Sequence, residues 1–120
     1  MADRTLFMSW GAVVRGREER AVEVFNESVG YWGRAQQEGR IDAFDVRLMV
    51  PNAKLDGYIE IRGSAEQLAA VKEDPGYKRL MIDSSLIIED MHICEGFANE
   101  AVAEQMALYQ EAVAKVPQTA

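Results

Sequence analysis

Hydrophobic positions along the chain alternate between two periods, and the changes of period predict its elements. Thr5 to Val14 is a run of aromatic and aliphatic residues ending at Arg15-Gly16-Arg17, which predicts a buried first strand. From Arg17 to Gly39 the apolar residues Ala21, Val22, Phe25, Val29 and Trp32 return at helical spacing. Glu18 and Glu19 fall in the first turn, where the helix dipole favours acids. Gly39 stands where a left-handed cap would end this long helix.

Period two then takes over. In residues 43–50 Phe44, Val46, Leu48 and Val50 share one face, and Asp45, Arg47 and Met49 share the other. A turn over 52–57 leads into Gly57 to Gly63, which alternates again, so the two segments predict an antiparallel hairpin. Ser64 with Gln67 three residues on forms a capping-box pattern before Leu68, Ala69 and Val71, so a second helix starts there. Asp74-Pro75 ends that helix and starts another segment, whose apolar side carries Tyr77, Leu80 and Met81. Leu86 to Cys94 predicts a fourth strand. Asn99 is the expected cap of a C-terminal helix over 99–116, with the narrow stripe Val102, Met106, Tyr109, Val113 and Val116.

The resulting order is βαββαβ plus a terminal helix, an α+β ferredoxin-like arrangement with a four-stranded antiparallel sheet, in one domain over 1–120 with its core in 5–97. In this order, in the hairpin that runs into a capped helix (residues 48–71) and in the helix-breaking Asp74-Pro75-Gly76-Tyr77, the chain resembles the dimeric α+β-barrel superfamily. That group includes antibiotic-biosynthesis-type monooxygenases, muconolactone-isomerase-like proteins and proteins without known activity. The resemblance implies a homodimer in which two sheets pack face to face. It also implies a small-molecule pocket, with cofactor-independent monooxygenase or isomerase chemistry on an aromatic or polyketide-like substrate as one outcome. A non-catalytic dimeric module is the other.

Charge narrows the partners. Twenty acidic against 13 basic residues give a net charge of −7, which repels phosphate backbones and anionic membranes, so neither nucleic acid nor membrane is expected. One cysteine forms no internal disulfide, and the N-terminal apolar run is too short for a signal peptide. A cytoplasmic protein is the expectation.

Candidate chemistry gathers on the strand faces opposite the apolar ones. Asp90, His92 and Cys94 alternate on the fourth strand against Met91 and Ile93, while Tyr58, Glu60 and Arg62 alternate on the third. His92 is the single histidine and the natural general base near neutral pH, with Asp90 placed to orient it. Arg47 and Tyr58 complete the candidate catalytic set, and Trp10, Trp32 and Glu60 form the candidate ligand-binding set. If a dimer buries this face, its charges need partners: Arg47 with Glu60 or Asp90, and Arg62 with Asp45. Trp32 and Tyr31 end the first helix where they could overhang a pocket, or else fill the core. No second His or Cys accompanies His92 and Cys94, so no metal site is expected. No cofactor is expected either; haem would have only His92 as an axial candidate. Glycine-rich phosphate loops and nucleophile motifs are lacking.

Overall fold

The computed structural model describes residues 2–119. The chain runs β1 (Arg4–Trp10), α1 (Glu18–Gln37), β2 (Ala43–Leu48), β3 (Gly57–Gly63), α2 (Ala65–Glu73), α3 (Pro75–Ser85), β4 (His92–Phe97) and α4 (Glu100–Val113). The strands form one antiparallel sheet in the order β2-β3-β1-β4, the ferredoxin-like topology expected from the element order. Among the described residues no helix is long and apolar enough to cross a membrane.

Strand alternation sorts the sheet into two faces. Leu6 and Met8 pair with Ile61 and Ile59, and these four are buried beneath the helices with Trp32, Ala35, Leu68 and Tyr77. Phe44 and Val46 extend the same face on β2. On the uncovered face stand Phe7, Ser9, Tyr58, Glu60, Arg62, Asp45, Arg47, His92 and Cys94. The apolar and polar sets expected for β2 and β3 occupy these faces as their alternation requires.

Local chemistry fixes the helix ends. Ser64 Oγ accepts from the Gln67 amide at 3.1 Å while Gln67 Oε1 accepts from the Ser64 amide at 2.8 Å, closing the capping box. Pro75 opens α3, with Asp74 extended before it. Gly39 has φ +73, and the Arg40 amide donates to the Ala35 carbonyl at 2.8 Å to close α1. The buried stripe of α1 differs from the expected one. It runs Ala21, Val24, Ser28, Tyr31, Trp32 and Ala35, while Val22 is exposed and Phe25 only half-buried.

Two expected strands are broken. The run 5–14 leaves the ladder after Trp10, and the run 86–94 joins it only at His92 and continues to Phe97. The two remain tethered beyond the break by a single bridge, Val13 to Ile88, and by the Gly11 amide donating to the Glu89 carbonyl at 2.8 Å. Asp90 lies between, with φ +53, outside β4. A left-handed residue cannot keep strand alternation, so the expected face Asp90-His92-Cys94 loses its first member.

The C-terminal helix also departs from expectation. Asn99 precedes α4 at φ +53 without a side-chain cap; its Nδ2 donates instead to the Ala2 carbonyl. Only Ala101 of α4 is buried, and Met106 and Tyr109 are 49% and 63% exposed. The stripe is present, but it does not pack on its own domain.

Candidate functional site

Between α1 and the sheet lies a cavity of about 390 Å³. The sheet contributes Met8, Trp10 and Ile59, and α1 contributes Val22, Phe25, Ser28 and Trp32. The segment after α3 closes the far side with Ile87, Ile88 and Met91. The lining includes no Lys, Arg or His; Glu18 is its one charged residue. A volume of this size, lined by aromatic and aliphatic groups with a few hydroxyls, suits a small apolar molecule. Val22 and Phe25, expected as core, thus border a space that the core leaves unfilled.

Both candidate ligand-binding tryptophans line this cavity. Trp10 lies against Gly57 of β3, its cross-strand partner. A Cβ on Gly57 would come within 2.7 Å of both the Trp10 indole and the Arg47 carbonyl, so only glycine admits the ring there. Phe25 then meets Trp10 edge-on at 6.4 Å. Trp32 is fully buried, edge-on to Tyr31 at 4.9 Å and to Tyr77 at 6.0 Å. Its Nε1 is buried with no acceptor among the described residues.

Tyr31 turns the other way, into a polar cluster. Its hydroxyl donates to Asp74 at 2.5 Å, and Arg40 stands 3.5 Å from the same carboxylate and over the Tyr31 ring. The Tyr31 hydrogen bond, more than Arg40, holds the Asp74 carboxyl below its usual range. Burial, and then the bond to Asp74, raises Tyr31 above the ordinary tyrosine value. This cluster ties the end of α1 to the α2–α3 junction and so supports one wall of the cavity.

His92 and Asp90 do come together, in a second concavity with Ser9, Trp10, Lys54 and Leu55. Among the described residues no hydrogen bond joins the two side chains. Ser9 and Trp10 line both spaces, so this concavity adjoins the apolar cavity through a shared wall. Cross-strand register puts Arg47, Tyr58, Ser9 and His92 in one row across the uncovered face. Arg47 and Tyr58 line neither space. Glu60 is in the next row, between Asp45 and Phe7.

The charges of this face pair locally. Arg62 bridges to Asp45 and stands 4.0 Å from Glu60, relieving two carboxylates that face each other across strands. Arg47 reaches Asp45 of its own strand at 4.0 Å, rather than Glu60 or Asp90. Ser9 and Phe7 were missed from the candidate set. The apolar character of the first strand hid that its alternate residues face outward, where Phe7 stacks on Tyr58 at 5.0 Å. Cys94 is exposed and free. Among the described residues no cluster of three or more His, Cys, Asp or Glu side chains could hold a metal ion.

No protein-family model matches the chain, and no curated protein matches it. Solved structures do. A dimeric protein of unknown function and ferredoxin-like fold from Bacteroides fragilis superposes with a TM-score of 0.59 at 10% identity, over 78% of this chain and 95% of that one. A candidate antibiotic biosynthesis monooxygenase from Deinococcus radiodurans gives 0.58 at 14% identity, over 81% and 92%. SnoaB, a cofactor-independent oxygenase from Streptomyces nogalater, gives 0.50 at 16% identity, over 82% and 93%. At these identities the likeness shows the shared ferredoxin-like fold.

Proposed function

We propose that the protein is a small-molecule-binding homodimer whose α1–sheet cavity takes an apolar, aromatic or polyketide-like substrate. The observation that carries this reading is the cavity itself, walled by Trp10, Phe25 and Trp32 and free of basic groups. Binding there would bury most of a two- or three-ring molecule. The reaction class is cofactor-independent monooxygenation or isomerisation; one structural neighbour of this fold is described as a cofactor-independent oxygenase. His92 acts as general base from the adjoining concavity, with Asp90 beside it, where a substrate reaching past Ser9 and Trp10 meets the imidazole. Arg47, Tyr58 and Glu60, on the uncovered face, carry polar roles at its edge or in the dimer.

Purified, metal-free protein should be stabilised by hydroxylated polycyclic aromatics in a thermal-shift screen, and some of these should support oxygen uptake or isomerisation. His92→Ala should abolish turnover while keeping the ligand-induced shift in melting temperature. A screen without a stabilising ligand would overturn the reading. A shift without turnover would favour a binding module, for which the unburied stripe of α4 and the uncovered sheet face also argue.

A further inference from the structure

The inner face of α1 presents one hydroxyl to the cavity. Ser28 is 8% exposed and lines the space one helical turn from Val24, Phe25 and Trp32. A serine inside a helix that does not face solvent ordinarily donates to the carbonyl four residues back, here that of Val24. Among the described residues the Ser28 hydroxyl makes neither that hydrogen bond nor any other. Its oxygen is nevertheless open. Trp32 Nε1 is the one buried side-chain polar atom among the described residues that is both sealed and unpartnered, so the unpartnered Ser28 Oγ keeps accessible surface. On the buried face of α1, in a residue that lines the cavity, that surface opens into the cavity.

The surroundings select what can meet this group. Polar groups in an apolar wall are almost always paired, and a hydroxyl can both donate and accept. Glu18 is the one charged residue of the lining, and its carboxylate already accepts from the Gly16 amide at 2.9 Å. An anionic ligand would meet repulsion with no cation to offset it, and a cationic one would offer Ser28 no acceptor. We infer that the cavity takes a neutral ring compound bearing a hydrogen-bonding oxygen, and that Ser28 Oγ binds this oxygen while the rings lie against Trp10, Phe25 and Trp32. The inference rests on the cavity being a ligand site and adds to it the ligand's polar handle and the residue that reads it. A ligand without the oxygen leaves the hydroxyl unpaired, so Ser28 discriminates by polarity where the other walls discriminate by shape.

Two bicyclic probes of one carbon skeleton test this: 1-tetralone, which has a carbonyl, and tetralin, which has none. Ser28→Ala removes a single oxygen and puts a better helix former in its place. Calorimetric titration of the full chain should show Ser28→Ala weakening 1-tetralone roughly five- to tenfold, with tetralin changed less than about twofold. The infrared carbonyl band of bound 1-tetralone should also move to higher frequency in Ser28→Ala, as a carbonyl released from a hydrogen bond does. Equal effects on both probes, or a carbonyl band that stays in place, would overturn the inference and leave the cavity reading standing. No binding of either probe to the unsubstituted protein would overturn both.

Discussion

Asp74 shows how one side chain couples the walls of the cavity. Its carboxyl is held below the ordinary carboxylate value by the Tyr31 hydroxyl, so the folded state takes up its proton less readily than the unfolded state. The stability it contributes is therefore fully present above the ordinary carboxylate pKa of about 4 and is lost as pH falls through the lower folded value. Tyr31 works in the opposite sense: its raised value makes a contribution that is present below about pH 10 and is lost as pH climbs through the folded value. Urea melts between about pH 5 and pH 2 should show the unsubstituted protein losing more stability than Asp74→Asn, which keeps an acceptor for Tyr31 but does not titrate. Parallel loss in both would assign the acid slope to other carboxylates. None of this coupling was legible in the sequence. Tyr31 and Asp74 lie 43 residues apart, and only the packing of α1 against the α2–α3 junction joins them. Ser64 and Gln67 were legible, because a capping box is a contact between near neighbours.

At the scale of elements, periodicity fixed order and faces but not what each face meets. The stripe of α1 shows the reason. Val22 and Phe25 have the spacing of core residues, and the same spacing serves a helix that lines a cavity. The breaks at Trp10 and Asp90 escaped notice because a left-handed aspartate leaves no mark on hydrophobic alternation. Helix α4 is the clearest case. Its stripe suits docking on its own domain or on a partner, and Val102, Met106 and Tyr109 stay exposed. Core burial on its own domain therefore contributes little to its retention. Truncation after Val102 should leave a cooperative thermal transition within about 5 °C of the full chain, a shift equivalent to roughly 1 kcal/mol in a domain of this size. A chain that no longer melts cooperatively would show that α4 belongs to the core.

The whole molecule is more extended than its length requires. Its radius of gyration is 17.2 Å, against about 14 Å for a compact domain of this size, and its extents are 53 × 38 × 24 Å. A projecting helix and a sheet with one uncovered face leave apolar surface that a second copy would cover, which supports the proposed homodimer. Phe7 and Tyr58 stack near the middle of that face, where a buried aromatic pair would anchor an interface. Light scattering at micromolar concentration should give twice the chain mass for the unsubstituted protein and the monomer mass for Phe7→Glu. A monomer in both cases would leave the face as solvated surface. Topology was legible at this scale because helix and strand periods alternate cleanly along the chain. The second copy is not, since exposure and burial of a sheet face produce the same alternation.

Methionine methyl groups would report directly on a small apolar molecule entering the α1–sheet cavity. Met8, Met81 and Met91 line the cavity, while Met49 and Met106 lie outside it. In a titration of methyl-labelled protein with 1-tetralone, the signals of Met8, Met81 and Met91 should move together and saturate, and those of Met49 and Met106 should stay fixed. Saturating shifts at Met49 or Met106 alone, or no shift at the three cavity methyls, would contradict binding in the cavity.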